Sequence, residues 1–73
     1  MRSFKDDEGR TWDAVPGRES WGTVVLLLSP RAGSGARVAP LASETVREAE
    51  QELAAMTVEA LRARLAESRP WEG

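Results

Sequence analysis

Seventy-three residues with twelve acidic and ten basic side chains make one small domain of net charge −2, too near neutral to hold nucleic acid by charge alone. The chain has no cysteine and no histidine, which removes disulfides, thiolate catalysis, Ser-His and Cys-His pairs and the usual zinc ligands together. A chain this short buries only ~60% of its unfolded surface, so a buried oligomer interface is the most available staple.

The N-terminus, Met1-Arg2-Ser3-Phe4-Lys5-Asp6-Asp7-Glu8, lacks the apolar stretch of a signal peptide, and the default expectation is a cytoplasmic protein. Asp6-Asp7-Glu8-Gly9 is a type I turn sequence, with Gly9 as the left-handed residue of a G1 bulge. That register pairs Phe4 with Trp12. A slip of one residue would send the two aromatics to opposite faces.

Val15-Pro16-Gly17-Arg18 reads as a second turn, tight and of type II, or else as a looser loop over 16–20. The tight form pairs Trp12 with Trp21 and sets Phe4, Trp12 and Trp21 in one row across three strands. Trp21 through Ser29 holds the long run of aliphatic residues, bounded by Gly22 and Ser29-Pro30, and predicts a strand buried on both faces. It is far shorter than the ~20 apolar residues of a membrane span. Residues 30–35 form a flexible loop by composition, and 36–41 a short strand that Pro40 confines to an edge or ends.

From Ser43 the pattern is helical. Ser43 is a candidate N-cap with Glu44 in the first turn, and Val46, Ala49, Leu53 and Met56 make one apolar stripe. The stripe then shifts phase to Val58, Leu61 and Leu65, with Thr57 as a second N-cap. Two helices are expected, stopped by Ser68-Arg69-Pro70, with Trp71 free to fold back. Residues 1–42 carry six basic and five acidic side chains, and 43–73 four and seven, so the helical half is the acidic one.

The candidate sites each have a plain alternative. Asp6, Asp7 and Glu8 do not match a calcium loop, and turn chemistry explains them. Gly33-Ser34-Gly35, near Arg31 and Arg37, is followed by a strand and has no lysine nearby, unlike a phosphate loop. Ser20 has no histidine to activate it, and a Ser-Lys pair would require Lys5, the only lysine. The acidic helices disfavour an anionic membrane surface and sustain no heptad. No cofactor, metal or catalytic residue is assigned, and the chain is expected not to be an enzyme.

Gly17-Arg18-Glu19-Ser20-Trp21-Gly22 is the least ordinary segment, either a binding loop or simply the anchor of the next strand. The pattern Phe4 … Asp7-x-Gly9-Arg10-x-Trp12, followed by residues 17–22, resembles short uncharacterised proteins of GC-rich bacteria. The resemblance spans most of the chain and implies no activity.

The sequence thus predicts a single α+β domain over 1–73. An antiparallel β-meander of three to four strands (1–42) is followed by two C-terminal helices packed on one face (43–68) and a tail (69–73). The third strand points Val25 and Leu27 to one side and Leu26 and Leu28 to the other, and two short helices cover one side only. The uncovered side predicts a protein-interaction module, a homo-oligomer or accessory subunit, with Trp12, Arg18, Glu19, Trp21, Val25 and Leu27 as candidate interaction residues. The alternative is a nucleic-acid-binding regulator using Arg10, Arg18 and Arg37 with the sheet tryptophans. The net charge and the absence of an RNP-type segment count against it.

Overall fold

The computed structural model describes residues 1–19 and 22–71. Five strands, β1 (Arg2–Lys5), β2 (Thr11–Arg18), β3 (Val24–Pro30), β4 (Arg37–Pro40) and β5 (Arg69–Pro70), form one antiparallel sheet in chain order. The helices α1 (Val46–Ala55) and α2 (Val58–Glu67) lie between β4 and β5 in the chain. The fold is the predicted meander followed by two helices, with one strand more than expected because Arg69–Pro70 returns to pair with β4.

The first hairpin forms as its sequence predicts. The Asp6 N–H donates to Arg10 O, the Gly9 N–H donates to Asp6 O, and Gly9 has φ 81°. Phe4 pairs with Trp12. The Asp6 carboxylate fixes the turn further by accepting from the Glu8 and Arg10 amides at 2.9 Å each.

The second turn is elsewhere than predicted. Strand β2 continues through Pro16 and Gly17, and Trp12 faces Pro30, so neither the tight turn nor the loop over 16–20 forms. The reversal between β2 and β3 is instead closed by Glu19, Gly22 and Thr23. The Glu19 N–H donates to Thr23 O, the Gly22 N–H donates to Glu19 O, and Gly22 has φ 93°. These are the same two bonds and the same left-handed glycine as in the first hairpin. Ser20 and Trp21 lie outside the described residues, and the three-aromatic row does not exist on this register.

Pro16 is tolerated because of the sheet's alternation. Thr11 O accepts from the Arg31 N–H, so the odd residues of β2 turn their backbone groups toward β3 and the even ones toward β1. β1 ends at Arg2, opposite Ala14, so the Pro16 nitrogen faces a position where no strand runs. The same alternation turns the nitrogens of Pro30, Pro40 and Pro70 away from any paired neighbour. All four prolines of the chain therefore sit in strands without removing a ladder bond. Gly17 serves packing, not backbone strain: a Cβ there would lie 2.7 Å from Leu27 Cδ1.

The core lies between one sheet face and the helices. Phe4, Trp12, Ala14, Leu26, Leu28 and Ala39 meet Leu53 of α1 and Leu61 of α2, with Leu41, Met56 and Leu65 packed around them. Thr45 caps α1, accepting from the Glu48 amide at 3.1 Å, while Ser43, the predicted cap, donates to the Glu52 carboxylate at 2.6 Å. Thr57 caps α2 as predicted, accepting from the Ala60 amide at 3.0 Å. Val58, expected in the second stripe, is exposed. Three arginines fasten the helices to the sheet. Arg2 donates to the α1 C-terminal carbonyls of Leu53 and Met56, Arg62 donates to Lys5 O, and Arg37 donates to Ser68 Oγ and O. No helix among the described residues is long and apolar enough to cross a membrane.

Candidate functional site

The sheet's second face carries no helix, because both helices pack on the core face. Pairing partners share a face, so Val15, Leu27, Val38 and Arg69 form one row across it, and Gly17, Val25 and Pro40 the next. Toward β1 the face turns polar. Ser3 donates to Asp13 Oδ1 at 2.6 Å, and Arg31 donates to the same oxygen at 2.7 Å and to Ser3 Oγ at 2.8 Å. Arg31 first and then Ser3 hold the Asp13 carboxyl below its ordinary pKa, and the Asp13 carboxylate in turn raises the pKa of Arg31. The apolar half lies toward β3 and β4.

The open apolar face that the sequence predicts is smaller than expected. Val25 is only 2% exposed and Val38 only 1%, although no helix lies over them, while Val15 and Leu27 are half-buried. Among the described residues the exposed large apolar side chains are Met1 and Val58, and neither belongs to this face's centre.

An ion pair spans the same side. Arg69 on β5 donates to Glu19 Oε1 at 2.8 Å, although β3 and β4 lie between their strands. Alternation along β2 through Val15 and Gly17 sets Glu19 on the helix-free side, and its pairing with Val38 sets Arg69 there too. Glu19 is 8% exposed at its side chain and Arg69 is 59% exposed, so the carboxylate lies against the sheet and the guanidinium reaches it from solvent. Trp71 follows, half-buried, its N–H donating to Ala36 O at 2.9 Å.

The six candidate interaction residues therefore do not form one patch. Glu19, Val25 and Leu27 share the helix-free side. Arg18 is exposed and donates to Gly22 O at 3.0 Å, holding the turn. Trp12 is a core residue. It is 5% exposed, its indole N–H donates to Asp6 Oδ2 at 2.9 Å, and Arg10 stacks over its ring at 5.4 Å. That indole bond, ahead of the backbone bonds, holds the Asp6 carboxyl below its ordinary pKa. Trp21 lies outside the described residues. Arg69 is the residue that sequence reasoning missed. It sits fifty positions from Glu19, and no local pattern links the two.

Elsewhere, a groove of about 380 Å³ opens where β1 stops short of β2, between Val15 and Pro16 and the α1 residues Leu53 and Ala54. The Arg2 guanidinium beside it is already engaged by helix carbonyls. Among the described residues, no group of three carboxylates converges to hold a metal ion. No protein-family model, curated protein or solved structure matches the chain.

Proposed function

We propose that this chain is a non-catalytic protein-interaction module, working as a homo-oligomer or a small accessory subunit through the helix-free face of its sheet. The make-up of that face is the observation that supports the reading. Val15 and Leu27 lie side by side on it, both half-buried, with Val15 also bordering the groove beside α1. The ion pairs Asp13–Arg31 and Glu19–Arg69 flank them. An apolar centre within a polar rim is the usual anatomy of a protein interface.

The sheet edges favour the face as the route of association. An open edge invites strand addition, and proteins blunt it with proline, charge or short strands. Here Pro16 removes the donor where β2 outruns β1, Arg62 occupies the outward carbonyl of Lys5, and β5 is two residues long and ends on an outward Pro70 nitrogen. The nucleic-acid reading has less support. Trp12 is in the core, Arg37 is spent on Ser68, and Arg31 is paired with Asp13.

Amide chemical shifts followed over a dilution series test the reading. The expected result is concentration-dependent change confined to Val15, Gly17, Val25, Leu27 and Val38. Changes mapping to the outer faces of α1 and α2 instead would overturn it.

A further inference from the structure

We propose that the Glu19–Arg69 ion pair is an exchangeable latch: closed within one chain, and re-formed between two copies as their helix-free faces pack together. The proposal rests on the interaction reading above and names its partner, a second copy of this chain.

Three observations carry it. First, the pair crosses β3 and β4 on the side where Val25 and Val38 are buried without a helix over them. Opening it uncovers apolar surface that water does not favour. Second, β5 stays on β4 through the Arg37–Ser68 and Trp71–Ala36 bonds, but the hold on the Arg69 side chain is slight. That strand is two residues long, both exposed, and an ion pair whose arginine is largely in water gives little net stability. The guanidinium, 59% exposed, can swing away into water without moving the strand.

Third, the charges are self-complementary. An acid stands at the β2 border of the face and a base at the β5 border, with Val25 and Val38 on the strands between them. A two-fold axis through that centre brings Glu19 of each copy to Arg69 of the other, the isologous contact that symmetric dimers use. The opened latch therefore loses no pairing on association, and the apolar centre is buried in addition.

A charge swap tests this directly. Glu19→Arg alone leaves a chain with arginine at both positions, and Arg69→Glu alone leaves one with glutamate at both. Neither can close the latch or pair with itself, and each should weaken self-association by roughly tenfold or more. Mixed in equal amounts, the two chains complement each other, and native mass spectrometry with one chain isotope-labelled should find the mixed dimer restored. Mixing without restoration overturns the proposal. The doubly swapped chain (Glu19→Arg with Arg69→Glu) guards against misfolding of the single variants. It should dimerise as the original does, and a folded, monomeric double variant also overturns the latch. Association that Leu27→Lys removes but the swaps leave unchanged keeps the face and overturns the latch alone. No dimer for the original chain and none in the mixture overturns both.

Discussion

The two faces of the sheet bury comparable aliphatic residues by different means. On one, two helices lay Leu53 and Leu61 over Phe4, Trp12, Ala14, Leu26, Leu28 and Ala39, with Arg2, Arg62 and Arg37 fastening helices to strands. On the other, Val25 and Val38 are buried with no helix above them, and an ion pair reaches over the strands that carry them. The first cover is continuous apolar contact, which is lost only when the domain unfolds. The second carries no helix, and the ion pair across it has its arginine largely in water. A small sheet with one helical layer thus has a helix-covered side and a helix-free one.

The comparison breaks most visibly with a charge placed on adjacent residues of β3. Leu26→Lys puts an unpaired charge into the fully buried core and should cost several kcal/mol, enough to unfold a domain of this size. Leu27→Lys, one residue on and pointing the other way, is half-buried. Its ammonium can reach water along a flexible stem, so the domain should stay folded. Circular dichroism of the two variants measures the contrast, and equal loss of structure would mean that the faces are not so different.

Cavity formation is the next largest effect. Leu61→Ala, where the side chain is wholly buried under α2, should lower stability by about 2–5 kcal/mol, measured by urea denaturation. Val15→Ala on the helix-free face should cost clearly less, because that side chain is already partly in water.

The glycines sharpen the picture at about 1 kcal/mol. Gly9→Ala meets no atom within 4 Å and is opposed only by its positive φ, a cost on the order of 1 kcal/mol. Gly17→Ala has an ordinary φ but meets Leu27 at 2.7 Å, so it should disturb the helix-free face while leaving the core spectrum unchanged. Tryptophan fluorescence separates the two: the Trp12 environment should be altered by Gly9→Ala more than by Gly17→Ala.

The smallest effect is the acid limb. Asp6 and Asp13 have folded pKa values below their ordinary ones, so their contribution is present above the unfolded carboxylate range. It is lost as the pH falls from about 4 through the depressed values. Asp6→Asn and Asp13→Asn should each flatten the fall of stability with acid, and an unchanged acid limb in both would mean that these bonds do not persist in solution.

Much of the fold was legible because it is local. The Asp6–Gly9 turn, the Phe4–Trp12 register, the alternation of β3 and the Thr57 cap each rest on residues within a few positions of one another. Two further features carry local signals of their own. Thr45-x-x-Glu48 carries the capping-box spacing that Ser43 lacks, and Glu19-x-x-Gly22 repeats the acid-to-glycine spacing of Asp6-x-x-Gly9. Pro16-Gly17 misled because its turn chemistry is strong in isolation. Only the end of β1 at Arg2 and the approach of Leu27 explain a proline and a glycine there, and both are tertiary facts. The Glu19–Arg69 pair was not legible at all. It forms only after the meander and both helices bring β5 back to β4. Trp12 illustrates the converse: an aromatic read as a contact residue became core because the helices chose its face.

The central claim, that the helix-free face is the surface of association, is tested most directly by sedimentation of the original chain and of Leu27→Lys across micromolar to millimolar concentrations. The account predicts that the original chain rises from the mass of one chain toward that of two. Leu27→Lys should stay at one while its circular dichroism remains that of the folded domain. A folded Leu27→Lys chain that associates as strongly as the original would contradict it.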